Sequence, residues 1–585
     1  MKYEWSLDRI YSSFDCEEFN TDWERIDTVC DELSVILTEV KAGLTPDGAA
    51  AVLRKYEEVY TLIEKTMLYI SLRFEADSNS EENMKMFSLL VAKDSKISPV
   101  LTIAMKLLSE GDFYEEAEKA EKIFADYKFM LKTNCESAKH YLSDDAEEMY
   151  SLMNMTGGSA WGTMHSSLTS SLAVDYDGGT VTLSEIRNLA YSSDADVRKK
   201  AYESELAAYK KIEQPIAFAL NNIKLQSTNI AKKRGYESPL DATLKGQNMS
   251  RETLDTMLGE IKKYLPVFHR YLRAKGKLLG HENGLPWYDM FAPIGESEKT
   301  YTPEEAGEFL VSVFSDFSKD MAGMIEAAFR DEWIDFYPRE GKSGGAFCAE
   351  AGCLEESRIL TNFDGTFSAV DTLAHELGHA FHNFVLKKHR ILNRAGLPMP
   401  LAETASTFNE AFLMNYVIAN AEPHEKLALL DSFLIETTQI MCDIYSRYLF
   451  ESKVFEKCVD GFISADRLCE YMLEAQKEAY GDGLDQSTLH PYMWVCKGHY
   501  YSESLAFYNF PYAFGGLLAT GLYAKYEKEP DGFDEKYQAF LYETTVNTIE
   551  DAAMKAGIDV TSPDFWDLGL EKYKKIADEF CELVG

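Results

Sequence analysis

The sequence predicts a mainly α fold of two lobes, with one small β-sheet beside a histidine-bearing helix. Three observations carry that expectation. Apolar residues recur at helical spacing through most of the chain, as in "AAVLRKYEEVYTLIEKTMLYISLRFEA" at 50–76. Glycine-rich, extended composition is confined to two stretches, 155–183 and 341–367. A length of 585 residues exceeds what one simple core holds, so the chain divides.

Residues 1 to 150 read as helices with charged outer faces. At 155–183, "MTGGSAWGTMHSSLTSSLAVDYDGGTVTL", that pattern gives way to small and polar residues. The stretch ends as a short β-hairpin turning at Asp177-Gly178-Gly179 into Thr180-Val181-Thr182-Leu183. Helical spacing resumes at "SEIRNLAYSSDADVRKKAYESELAAYKK", which divides an N-terminal helical lobe, 1–182, from a second domain, 183–585. The second glycine-rich stretch, "GKSGGAFCAEAGCLEESRILTNFDGTF", reads as loop and strand, and almost everything after 368 reads as helix.

Composition excludes several classes. The formal charge of −38 argues against nucleic acid or an anionic membrane as partner. No apolar run reaches the roughly 18 residues of a membrane helix. The N-terminus lacks the basic start, apolar stretch and cleavage site of a secretory signal. The ten cysteines show no paired spacing, so they are expected as reduced thiols, which points to a cytoplasmic protein.

The chemistry concentrates at "LAHELGHAFHNFV", 373–385, which holds three of the chain's 11 histidines. His375-Glu376-Leu377-Gly378-His379 is an H-E-x-x-H sequence. On a helix, residues four apart share a face with Cβ atoms about 5–6 Å apart, close enough for both imidazoles to bind one metal ion. Glu376, beside the first of them, reaches a water on such an ion and serves as general base. Ser368 and Asp371 fit a capping box that starts the helix. Lys387, Lys388 and Arg390 suit its C-terminal end, and Gly396, Pro398 and Pro400 stop it.

A third ligand is needed. The pattern that supplies a glycine and a third histidine is absent, since positions 382 and 385 are His and Val. The alternative is a carboxylate from the next helical segment, "LAETASTFNEAFLMNYVIA" at 401–419. It carries Glu403 and Glu410, seven residues apart on one face of an otherwise apolar helix. Burying two carboxylates there is costly unless a cation meets them.

These residues resemble the M3 family of zinc metallopeptidases, which includes thimet oligopeptidase and, most similar, oligoendopeptidase F. The likeness rests on "HELGHAFH" followed by Glu403 in "LAETASTFNE", with "WYDMFAP" at 287–293, "SGGAF" at 343–347, "RILTNFDGTFSAVDTLAHELGHAFH" at 358–382 and "GHYYSESLAFYNFPYAFG" at 498–515. "WSLDRIYSSFD" near the N-terminus and "GSAWG" match as well, so most of the chain is covered. The resemblance implies one zinc ion held by His375, His379 and Glu403, with Glu376 as base. It implies that Glu410 orients a ligand histidine. His499 and Tyr508 match the pair facing the scissile carbonyl, and Tyr512 lies near a second such tyrosine, where Pro511 departs from the family pattern. It further implies a two-lobed helical metallopeptidase with a deep central channel and the small sheet beside the zinc helix. Such a channel admits short peptides and excludes folded proteins.

The remaining residues have plainer readings. His382 is expected as a packed residue, His389 as an exposed one at the helix end, and Phe507, Phe510 and Phe514 as core. Gly344 and Gly345, followed by Ala346, read either as an ordinary loop or as a place where a peptide backbone approaches and pairs with the edge of the extended "RILTNF". Two rival functions stay open: an exopeptidase, which needs a cation for the free carboxylate, and a peptide-binding protein without catalysis.

Overall fold

Three long helices open the chain: α1 (Glu17–Val40), α2 (Pro46–Ala76) and α3 (Glu81–Leu108). Thr45 and Ser80 start the second and third, each hydroxyl accepting a backbone N–H of the first turn. Their facing stripes, with Ile26, Leu33, Val52, Leu53, Val59 and Ile97, form one buried cluster. The structure is a computed structural model, and it describes residues 3–41, 43–113, 115, 122–295 and 299–585.

The stretch expected to lose helical character at 155–183 is half helix. Gly158–Ser170 forms α4, and only then come strands β1 (Val174–Tyr176) and β2 (Gly179–Val181). Its Ser and Thr hydroxyls bond to carbonyls one turn back, as with Thr169 to His165, so small polar residues are accommodated in the helix. The hairpin turns as expected, with Asp177 and Gly178 both at positive φ (51° and 81°). The 39-residue helix α5 (Ala195–Lys233) then packs with residues 450–501 around Trp494 and Tyr500.

A three-stranded sheet lies under the histidine helix. Its order is β3 (Ile334–Asp335), β5 (Glu356–Leu360), β4 (Phe347–Ala351), with β3 parallel and β4 antiparallel to β5. "RILTNF" therefore begins in the central strand, hydrogen-bonded on both sides, and the free edge belongs to β4. The expected pairing edge is displaced by one strand. The N-terminal segment and the end of α2 clamp this region. Ser6 N–H donates to the Glu332 carbonyl at 2.8 Å, Phe336 N–H to Tyr3 at 2.9 Å, and Ser343 N–H to Glu75 at 2.9 Å.

Helix α6 (Phe367–Leu386) carries the motif and buries Val370, Leu373, Leu377, Phe381 and Val385 in the largest core cluster. It begins two residues before the expected cap. Thr366 Oγ1 accepts from Ala369 N–H at 3.2 Å, and Asp364 accepts both the N–H and the hydroxyl of Thr366. Ser368 is thus inside the first turn, and Asp371 lies within the helix rather than in a capping box. Helix α7 (Thr404–Asn420) crosses α6, and α8 (Phe510–Lys528) packs on α7. Among the described residues no helix is long and apolar enough to cross a membrane.

Candidate metal centre

Two contacts set the approach of α6 to α7. A Cβ at Gly378 would lie 2.5 Å from the Ala405 carbonyl oxygen and 2.6 Å from Ser406 Cα, so only glycine lets the backbones come this near. Asn409 then donates Nδ2–H to the Ala374 carbonyl at 3.0 Å. Together they bring Glu403, at the N-terminal end of α7, over the two histidines.

The three donor atoms form a nearly equilateral triangle. His375 Nε2 and His379 Nε2 are 3.2 Å apart, and each is 3.3 Å from Glu403 Oε2. Bonds of about 2.0–2.1 Å from a tetrahedral zinc ion would place its ligand atoms about 3.3–3.4 Å apart, so the donor set and its spacing fit that ion. Ser406 Oγ holds Glu403 Oε2 at 2.9 Å. Glu410, two turns along α7, accepts from His375 Nδ1 at 2.9 Å, which leaves Nε2 to face the centre.

Electrostatics agree with a cation site. Burial pushes the His375 imidazolium down, but bonds to Glu403 and Glu410 outweigh it and raise the pKa to about 10. The Glu403 carboxylate is held far below its usual range by bonds from His375 and His379. Glu376 is 5% exposed, and burial raises its pKa. Its Oε2 has no hydrogen-bond partner, which is costly for a buried carboxylate and leaves that oxygen ready for a water. The Cys348 thiol of β4 lies within electrostatic reach of Glu376, which places the sheet edge beside this carboxylate.

A sequence model of Peptidase family M3 matches residues 188–571, and one named Oligopeptidase F matches 110–173. The chain belongs to peptidase family M3. This M3 chain is therefore a metallopeptidase. It is 24% identical over 469 residues to Oligopeptidase PepF of Bacillus subtilis, covering 78% of the chain and 69% of that relative. It is 24% identical over 609 residues to an oligoendopeptidase F homolog of Lactococcus lactis, covering 100% and 97%. Among solved structures, a Chlamydophila abortus chain superposes with TM-score 0.86 at 20% identity, covering 99% and 98%. Oligoendopeptidase-F of Enterococcus faecium superposes with TM-score 0.70 at 19% identity, covering 97% and 99%. The expected family and mainly α fold hold.

The segment 498–515 of the M3 chain carries His499, Tyr508 and Tyr512. The His499 and Tyr508 rings stack with centroids 5.6 Å apart, and the Tyr508 and Tyr512 oxygens are 2.8 Å apart. This segment leads into α8, whose Gly515 lies against Glu403: a Cβ there would sit 3.5 Å from the Glu403 Cβ. Tyr512, one turn earlier, is within electrostatic reach of Glu403. His499 is kept neutral, its pKa lowered to about 2 by burial and then by Arg447, Lys224 and Lys497. Gly345 is exposed at φ +77° with open space about its Cβ position, so its backbone conformation, not crowding, favours glycine. Its carbonyl and that of Ser343 accept from Asn362, and the loop passes through Ala346 into the β4 edge.

The other expectations divide. His382 is buried against Thr544, 2.8 Å away, as a packed residue. Phe507, Phe510 and Phe514 are core. His389 is not freely exposed: it is half-buried, stacked on Tyr542 at 3.8 Å, because the chain returns over the helix end. Three residues escaped sequence reasoning. Asp371 and Glu436 line a groove of about 900 Å³ that reaches Glu410. Burial drives Asp371 well above the usual carboxylate range, and burial with Glu410 nearby raises Glu436 to about 7. Asp371 is one turn before His375 on the same face, a spacing visible in the sequence. Asn509, which meets His499 at 2.6 Å, had no signal of its own.

Proposed function

We propose that this M3 chain is a zinc-dependent endopeptidase that hydrolyses internal bonds of short unstructured peptides. The observation that carries the reading is the triangle of His375, His379 and Glu403 with the unpartnered Oε2 of Glu376 in the same motif. Zinc bound by those three residues would polarise the scissile carbonyl and acidify the attacking water. Glu376 takes a proton from that water at Oε2 and passes it to the leaving amine. Glu410 keeps His375 turned toward the centre. His499 and Tyr508 donate hydrogen bonds to the carbonyl oxygen as it gains charge. Tyr512 supports Tyr508, and the loop at Gly345 and Ala346 guides the peptide backbone onto the β4 edge. The relatives named oligoendopeptidase F support this substrate class.

The division into 1–182 and 183–585 and a cytoplasmic location belong to the same proposal. All ten cysteines are free thiols, which suits a reducing compartment. The test is mass spectrometry of products from peptides of graded length, with chelator, with zinc restored, and with Glu376→Gln. Internal cuts that vanish with chelator and return with zinc are expected, and Glu376→Gln should hold zinc without turnover. Hydrolysis by zinc-loaded Glu376→Gln at the parent rate would overturn the assignment of the base.

A further inference from the structure

A second cavity, of about 350 Å³, adjoins the groove that reaches Glu410: Tyr191, Phe291 and Gln439 line both spaces. Three cations line this cavity, Arg187, Arg198 and Lys497. In a chain of net charge −38, such a gathering calls for a reason.

Arg198 has its own partners. It donates to Asp289 at 2.8 Å and to the Ser192 carbonyl at 2.6 Å. Lys497 differs. Among the described residues its ammonium makes no hydrogen bond and no ion pair, and burial lowers its pKa. Its charged neighbours include Arg187 and Arg447, and the carboxylate that acts on it most, Asp443, is bound by Arg447. Arg187 lies against Cys496, which with Tyr209 and Glu205 raises its pKa; Glu205, 3.7 Å away, also accepts from the Tyr209 hydroxyl at 3.0 Å. A half-buried cation without a counter-charge weakens the fold, and Lys497, kept so on this cavity beside the more exposed Arg187, leaves room for an anion.

We propose that Lys497 and Arg187 form a carboxylate-binding subsite of the peptide groove. The carboxylate is the C-terminus of a short peptide or an acidic side chain along it. Position supports this. Lys497 is two residues from His499, about 7 Å along the chain, and the two interact electrostatically. The aromatic walls, Tyr202, Trp287 and Tyr288, suit a peptide arriving beside that carboxylate. The subsite rests on the peptidase reading for its place beside the cleaved bond, and its binding chemistry is testable without turnover.

The test uses hexapeptides built on one parent sequence: a C-terminal acid, a C-terminal amide, and a set of amides with Glu walked through the positions. With the zinc-loaded parent, the carboxylate-bearing peptide should be cut with kcat/KM roughly tenfold to a hundredfold above the plain amide, mostly through KM. The ratio should collapse toward one in Lys497→Gln and fall in Arg187→Gln, and high salt should shrink it. Whether the acid or one Glu position carries the preference identifies the source. The binding arm measures fluorescence anisotropy of labelled acid and amide peptides on zinc-loaded Glu376→Gln, with and without Lys497→Gln. Acid preference in binding that Lys497→Gln abolishes, with no peptide cut by the parent, would keep the subsite and sink the hydrolytic reading. Cleavage of the acid, the amide and every Glu-bearing amide alike, or a preference surviving both substitutions, would overturn the subsite and leave hydrolysis standing. Removing an unpaired charge should leave Tm equal or higher in Lys497→Gln; a clear fall would make Lys497 structural and overturn the proposal.

Discussion

Asn509 fixes the tautomer of His499. Arg447 can only donate, and its Nη1 lies 3.1 Å from Asn509 Oδ1, so that oxygen accepts. The Asn509 amide nitrogen must then donate to His499 Nε2, 2.6 Å away. His499 is neutral, so its proton sits on Nδ1. The chain Asp443, Arg447, Asn509, His499 is thus a line of donors and acceptors with one allowed direction.

Asn509→Asp should break that direction. A carboxylate only accepts, so His499 must place its proton on Nε2 and lose the Nδ1 donor. A fall in kcat of roughly 10²–10³ is expected, with zinc content and Tm near those of the parent. Nitrogen NMR of the imidazole together with kcat checks it, and an Nε2-protonated parent would end the argument.

Gly378→Ala should act on the metal through the backbone. The added methyl meets the Ala405 carbonyl and Ser406 Cα, neither of which can turn aside. Helices α6 and α7 must separate, carrying Glu403 off the histidines. Overpacking of this kind costs about 1–3 kcal/mol. Zinc affinity should weaken by roughly 10–100-fold, measured by chelator competition alongside Tm. Unchanged zinc affinity would show that Glu403 is positioned independently of this crossing.

The parts legible in the sequence are those written in short-range spacing. His375 and His379 share a face because of helical periodicity, and the Asp177-Gly178 turn is dictated by positive φ. Glu403 could be nominated, since a second carboxylate seven residues on needed a cation. What failed depended on partners distant in the chain. Strand order decides which edge is free, so "RILTNF" looked open until β3 covered it. Tyr542 covers His389 from 153 residues away. Thr366 outcompeted Ser368 as cap because Asp364 braces it, a local device outweighed on paper by the Ser–Asp box.

His382 should steepen acid denaturation. Burial lowers its folded-state pKa from the ordinary 6.5 to about 3, so on acidification the unfolded chain takes this proton first. Stability therefore falls as pH drops from 6.5 toward 3, by about 1.4 kcal/mol per pH unit from this group, and levels below. Urea unfolding between pH 7 and 4 should show a shallower dependence for His382→Gln than for the parent. Equal slopes would mean that His382 is protonated in the folded state.

Tyr508 is the residue for which packing and catalysis predict opposite results. Its oxygen lies 2.8 Å from that of Tyr512, so one hydroxyl donates to the other. Burial, the bond to Tyr508 and the nearby Glu403 all raise the Tyr512 pKa, so Tyr512 keeps its proton at neutral pH. If Tyr512 donates, the Tyr508 proton is free to meet the charge on the carbonyl oxygen, and the Tyr512 bond strengthens it as a donor. Tyr508→Phe should then lower kcat by roughly 10²–10³ at nearly constant KM, because the uncharged carbonyl gains little from that donor. Tyr512→Phe should cost less, about tenfold, since it removes only the supporting bond. The opposite direction, Tyr508 donating to Tyr512, would make Tyr512→Phe the more damaging change. A pure packing role predicts a loss of about 1 kcal/mol in stability and parent-like kcat in both variants. Steady-state kinetics on zinc-loaded samples of matched Tm separates the three, and the order of the two kcat values fixes which tyrosine presents its proton to the substrate.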